Sequence, residues 1–236
     1  MIGIPIGMVL SMFFAVCMSR DIKGGSVFRV LYYIPCIASS ISIIYTFQIM
    51  FKIDGVINQL INTDLPWMMD SDKGEYSWAP TIDTYWSQGM LSKTLIVIMS
   101  VWKGLGGTII LYVAGLSGVN SATKEAAQID GANAWKIFWK VTIPDLAPVI
   151  FYNVVTSVIG GMQIYAEPEL FFPPAGPSGA THPNLMTSGY VSLIWHYGFN
   201  LQNARYSLGA AYGMILAIII FALTIFQFWL DGRKKD

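Results

Sequence analysis

The stretch EAAQIDGANAWKIFWKVTIP, Glu125–Pro144, lies between two long apolar runs and differs from both. It carries Glu125, Asp130, Lys136 and Lys140, a glycine at 131, three large aromatics and a closing proline. Ahead of it, Asn120 and Ser121 are good N-cap residues. Ala122, Ala126 and Ile129 fall at i, i+4 and i+7, so a helix would bring them onto one small-residue stripe. Lys124 and Gln128 lie off that stripe. Gly131 is placed to stop the first helix in the left-handed conformation that glycine adopts freely. A second short helix follows, with Trp135, Phe138 and Trp139 sharing a face at i, i+3 and i+4, and Pro144 ends it. The spacing therefore predicts two short helices joined by a glycine bend. The alanine stripe is open to close approach by a partner, and the aromatic face is set against the neighbouring apolar helices.

The rest of the chain explains why such a segment stands out. Of 236 residues, 54% are hydrophobic and 12% are charged. Soluble domains carry about 25% charged residues, so this composition cannot solvate a globular surface and places the chain among membrane proteins. The net charge of zero argues against a nucleic-acid partner. Two cysteines, Cys17 and Cys36, both in apolar runs, and two histidines, His182 and His196, suggest neither a disulfide framework nor a metal site. No Gly-x-x-x-x-Gly-Lys-Ser/Thr loop is present, so the chain encodes no phosphate cradle of that kind.

Five stretches are long enough to cross a bilayer, which takes about 20 mostly apolar residues. Met1–Ser19, Val30–Phe51, Leu146–Ala166 and Tyr206–Leu230 are uncharged, and Thr94–Val119 carries only Lys103. The first does not read as a cleaved signal, because Arg20 and Lys23 follow the apolar run rather than precede it. Residues 167–205 hold Pro173, Pro174, Pro177 and Pro183 and read as an external loop with an interfacial helix near Asn184–Tyr197. Tyr190, Trp195 and Tyr197 there suit a headgroup belt. Lys and Arg set the orientation. Arg20, Lys23 and Arg29, then Lys124, Lys136 and Lys140, then Arg233, Lys234 and Lys235 put nine of the fourteen basic residues on one side. That side is read as cytoplasmic, giving a multi-pass plasma-membrane protein whose C-terminus lies inside. The segment 120–144 then faces the cytoplasm. An interfacial amphipathic loop anchored by two tryptophans fits its periodicity as well, but Glu125 and Asp130 are unlike the basic polar face of lipid anchors.

At these residues the sequence resembles a known family. EAAQIDGANAWKIFWKVTIPDLAP is similar to the EAA loop of ABC importer permeases in its carbohydrate-importer form, with Glu125, Ala126, Ala127, Asp130, Gly131, Ala132, Phe138 and Pro144 matching. RVLYYIPCIASSISIIYTFQIMF, DGVINQLI and SVWKGLGGTIILYVAGLSGV resemble other family segments in the same order. The long acidic connection after Val30–Phe51 is like that of the maltose and glycerol-phosphate permease subgroup. The resemblance implies an all-α polytopic bundle of the type I permease class, one transmembrane domain over 1–236, with 120–144 as the coupling loop. Family members have six spans or more, so the five visible here imply that an N-terminal span is missing from this chain. The loop YAEPELFFPPAGPSGATHPN also departs from the family's shorter turn.

The resemblance further implies a transport subunit rather than an enzyme, without a cofactor. Its implied partners are a cytoplasmic ATPase dimer, a second permease, an extracytoplasmic solute-binding protein, a sugar and the lipid bilayer. The eight matching residues would couple ATP hydrolysis to alternating access. Polar residues inside spans are costly and point to a path. Tyr45, Gln48, Asn153, Thr156, Gln163 and Tyr165 are the candidates, with stacking and hydrogen bonding suited to sugar. Packing between helices is the competing reading for the Asn and Gln side chains. An importer of another small solute, or a secondary transporter driven by an ion gradient, are the alternative functions. The second lacks the buried acid pair or repeat that such proteins often show.

Overall fold

The computed structural model describes residues 2–19, 25–52, 54–62, 67, 82–171, 189–199 and 205–232. Among these, regular structure is helical throughout: α1 Gly3–Met18, α2 Gly25–Ile37, α3 Ser40–Met50, α4 Val56–Ile61, α5 Ile82–Ser117 and α6 Ser121–Ile129. Then come α7 Ala134–Ile137, a π-helical turn Phe138–Thr142, α8 Ile143–Asp145, α9 Ala147–Met162, α10 Ala166–Phe171, α11 Tyr190–Phe199 and α12 Tyr206–Gly232. The loop prolines at 173, 174, 177 and 183, the acids Asp64, Asp70, Asp72 and Glu75, and the basic residues 20, 23 and 233–235 lie outside the described residues.

Apolar runs and unbroken helices do not coincide here. Among the described residues two helices are long and apolar enough to cross a membrane, Lys93–Ser117 within α5 and Tyr206–Gly232. Up to four qualify if each of two bent pairs counts as one span. The five apolar stretches correspond to these two helices, the two bent pairs and the shorter apolar helix Gly3–Met18. Val30–Phe51 is interrupted at Ala38–Ser39, where Ser39 is extended (φ −57°, ψ 132°) and its carbonyl accepts from Ile43 N at 3.1 Å. Serines compete for backbone hydrogen bonds and favour such starts, and Pro35 has already removed one bond from α2. The helix α1 has 16 residues, about 24 Å of rise against a hydrocarbon core of about 30 Å. A hydropathy window counts apolar residues and does not see these breaks.

The chain divides into two compact units. In the first, α1, α2, the C-terminal half of α5, α6 to α8 and most of α9 gather around Ala15, Ile109, Tyr112, Leu116, Val119 and Leu146. Five of these six are apolar, and the sixth, Tyr112, hydrogen-bonds through its hydroxyl, as a buried tyrosine must. The second unit packs Ile43, Ile44, Phe47 and Phe51 of the α3 region against Leu95, Met99 and Phe171. Phe47 stacks on Phe51 at 5.6 Å, and Trp67 meets Phe51 edge-on at 5.4 Å while donating Nε1–H to Asn58 Oδ1 at 2.9 Å.

In that second unit α11 packs along the start of α12. Gly198 and Gly209 let the two backbones touch, since a Cβ on Gly209 would lie 2.6 Å from Gly198 Cα. Small residues permit such crossings. Tyr197 stacks on Tyr212 at 5.4 Å across the crossing. Beyond this crossing α12 exposes Ile215, Ile218, Phe221, Ile225 and Phe226, as expected of a helix bathed in lipid rather than water.

Candidate functional site

The stretch that opened the sequence reading forms two capped helices. Asn120 supplies the first cap, its Oδ1 accepting from Ala122 N at 2.9 Å, and Ser121 becomes the first helical residue. At the other end of α6, Gly131 N bonds Gln128 O and Ala132 N bonds Ala127 O, both at 3.0 Å. That is the paired closure of a Schellman motif, which needs a left-handed residue between. Gly131 has φ +75° and is the only glycine with positive φ among the described residues. Asn133 then caps α7, accepting at Oδ1 from Lys136 N at 2.9 Å. This second cap was missed in the sequence, although an Asn two residues past the glycine was its signal.

The stripe on α6 faces outward. Ala122, Ala126, Ile129, Glu125 and Asp130 are all exposed, and Ala127 and Ala132 are half-buried. Ile129 is 87% exposed, the sort of apolar exposure that marks a contact surface. In the second helix Trp135, Phe138 and Trp139 form a triangle with ring separations of 5.4 to 6.4 Å. The shared face is present, but the expected seating of all three rings against neighbouring helices is not found. Trp135 and Trp139 remain 69% and 51% exposed, and only Phe138 is half-buried. The inward side is supplied by Ile137, Val141 and Thr142 instead.

Pro144 does not end the helix. The chain passes through the π turn into α8 and breaks only after Asp145, where Ala134–Asp145 and α9 meet at 65°. Proline lacks an N–H and crowds the carbonyl four residues back. The wide turn just before it takes up that misfit with a five-residue bond from Ile143 N to Phe138 O. Leu146 N bonds Thr142 O at 3.0 Å, and Leu146 is fully buried at the corner.

The six path candidates separate by what they touch. Asn153 is buried, donates from Nδ2 to Tyr112 Oη at 2.8 Å and accepts from Ser157 Oγ at 3.3 Å. Gln48 donates from Nε2 to Leu170 O at 2.7 Å. Both amides have a partner within the chain, the arrangement that the packing reading describes. Thr156 is exposed, with its hydroxyl bonded to Tyr152 O at 2.9 Å in its own helix. Tyr45 is 56% exposed. Gln163 is exposed, and Tyr165 is half-buried with its ring 6.1 Å from Trp195. Gly160 and Gly161 lie within α9, which runs on to Met162. Glu167 and Glu169 sit in the first turn of α10, a favourable place for carboxylates. Cys17 and Cys36 are free thiols.

The geometry can be set beside known proteins. The chain is 27% identical over 241 residues to the lactose transport system permease protein LacF of Rhizobium radiobacter, covering 99% of this chain and 73% of that one. It is 32% identical over 230 residues to the arabinooligosaccharides transport system permease protein AraP of Halalkalibacterium halodurans, covering 96% of this chain and 66% of the relative. In fold it is similar to a chain of the crystal structure of a bacterial ABC transporter involved in the import of the acidic polysaccharide alginate. The TM-score there is 0.73 at 19% identity, over 98% of this chain and 73% of that one. The family described as binding-protein-dependent transport system inner membrane component matches residues 3–236, and with nearly its whole length inside that match the chain belongs to this family of multi-pass membrane permeases.

Proposed function

We infer that this chain is one of a pair of membrane subunits in an ATP-driven importer of sugars or oligosaccharides, with segment 120–144 as the coupling loop and its helix α6 as the docking element for a cytoplasmic ATPase. The observation that carries the docking role is the outward face of α6. Ala122, Ala126, Glu125 and Ile129 are exposed on a helix capped at both ends. Small residues let a partner's backbone come close, and an almost bare Ile129 gains from being covered. Caps and the Schellman closure hold the helix as one body, which suits an element that transmits motion without deforming.

The sugar class rests on the relatives, which are named for lactose and arabinooligosaccharides. Residues Tyr45, Thr156, Gln163 and Tyr165 are the side chains best placed to meet such a substrate. A solute-binding protein on the outer face and a second, different permease complete the assembly. The basic residues of the first and third connections and of the tail support a cytoplasmic position for α6.

The test uses the permease expressed with its ATPase. Glu125→Lys and Ala126→Trp each leave membrane insertion intact, reduce ATPase recovered on purification and abolish uptake. A cysteine at Gln128, with Cys17 and Cys36 replaced, reacts with an impermeant thiol reagent only from the cytoplasmic side. Normal ATPase recovery from both variants would refute the docking role.

A further inference from the structure

The ridge formed by Trp135 and Trp139 is not used by α6 docking, and it stands exposed among the described residues. We propose that Trp135 and Trp139, together with Lys136 and Lys140, seat the segment Ala134–Asp145 in the headgroup layer on anionic lipid. The element that follows the docking helix is then a membrane-surface anchor.

Three observations converge on lipid as the occupant. The first is continuity. Ala134–Asp145 leads directly into α9, inclined to it by 65°. With α9 set along the membrane normal, a segment at that angle runs nearer the membrane plane than the normal. Its length of about 18 Å keeps both tryptophans close to where α9 enters the bilayer.

The second is the exposure of the rings. Trp135 and Trp139 are exposed while Ile137, Phe138 and Val141 are at least half-buried. Indoles with an apolar body and a polar N–H are enriched at membrane interfaces.

The third is charge. Lys136 and Lys140 are exposed four residues apart, beside the ring ridge. No acid occurs between Gly131 and Pro144. The acids Glu125 and Asp130 belong instead to α6 and its C-cap. Lys136 and Lys140 thus stand beside the tryptophans, and the segment's one acid, Asp145, lies at its far end, a balance that favours anionic headgroups. A groove in the ATPase is the rival occupant of the ridge.

The test uses the assembled transporter in vesicles of phosphatidylcholine with or without phosphatidylglycerol. Nitroxide labels are placed at Trp135→Cys, Trp139→Cys and Ala126→Cys in a background lacking Cys17 and Cys36. The proposal requires labels at 135 and 139 to meet oxygen more often than a water-soluble nickel chelate, whether or not the ATPase is bound. The label at 126 is open to the chelate and becomes immobilised when the ATPase binds. Uptake is stimulated by phosphatidylglycerol, and Lys136→Gln with Lys140→Gln removes that stimulation while uptake in phosphatidylcholine is retained. Chelate access at 135 and 139, or their immobilisation by the ATPase in step with 126, overturns the anchor. So does a stimulation that survives the lysine changes. Because the label at 126 reports docking separately, failure of the anchor is distinguished from failure of the docking role.

Discussion

Asn153 on α9 donates to the Tyr112 hydroxyl on α5 at 2.8 Å, and both side chains are buried. The bond joins residues 41 positions apart in the chain and lies within an otherwise apolar cluster that includes Ile109, Leu116 and Leu146. Ser157 takes the other end of the amide. Asn153→Ala therefore strands a buried hydroxyl. Bonds of this kind between membrane helices contribute about 0.6 kcal/mol on average and up to about 1.7. The melting temperature of the purified complex falls, and the substrate concentration for half-maximal uptake does not move. Asn153→Leu combined with Tyr112→Phe recovers part of the loss, since no polar group is then left unmet. A shifted half-saturation with unchanged melting would instead place Asn153 against substrate.

The two glutamines should part company in the same assays. Gln48 is bonded to the Leu170 carbonyl, so Gln48→Leu costs about 0.5–1.5 kcal/mol of stability with selectivity unchanged. Gln163 is exposed. Gln163→Ala raises the half-saturating sugar concentration roughly 2- to 12-fold, the equivalent of one lost hydrogen bond, without lowering melting. The reverse pattern would exchange their roles.

Gly131 gives a graded series because its φ of +75° meets no steric neighbour within 4 Å. The cost of replacement is purely conformational. Asn tolerates the left-handed region better than other residues, so Gly131→Asn keeps most uptake. Gly131→Val carries about 1–3 kcal/mol of backbone strain and loses both ATPase retention and uptake while remaining in the membrane. Equal behaviour of the two variants would show that the bend does not matter.

The glycine crossing of α11 and α12 is asymmetric. A Cβ on Gly209 would lie 2.6 Å from Gly198 Cα, whereas one on Gly198 meets Gly209 Cα at an ordinary 3.5 Å. Gly209→Ala therefore forces the helices apart at about 1–3 kcal/mol, and Gly198→Ala is tolerated. Differential scanning of the two purified variants checks the order.

What the sequence disclosed follows from the range of the forces involved. Asn120 as a cap, Gly131 as a left-handed stop and the grouping of Trp135, Phe138 and Trp139 depend on residues within a few positions of one another, and local pattern reads them. The α12 span was equally plain, because nothing interrupts its apolar run. The break at Ser39 and the passage through Pro144 were hidden, since both depend on backbone hydrogen bonding rather than composition. The occupancy of Gln48 by Leu170 and of Asn153 by Tyr112 was hidden for a different reason. Each partner is remote in sequence, and an amide that binds a neighbour has the same letter as one that waits for a ligand.

The π turn at Phe138–Thr142 also sets a phase. Such a turn holds about one residue more than an α turn, so helix faces before and after it are offset. In an α-helix one residue corresponds to about 100° of rotation. Deleting Val141 would let the segment close into a regular α-helix and swing Trp135 and Lys136 around the axis by that amount relative to α9. The rest of the chain would keep its composition, hydropathy and number of helices. One residue of slack thus acts as the angular setting between α9 and the aromatic ridge ahead of it.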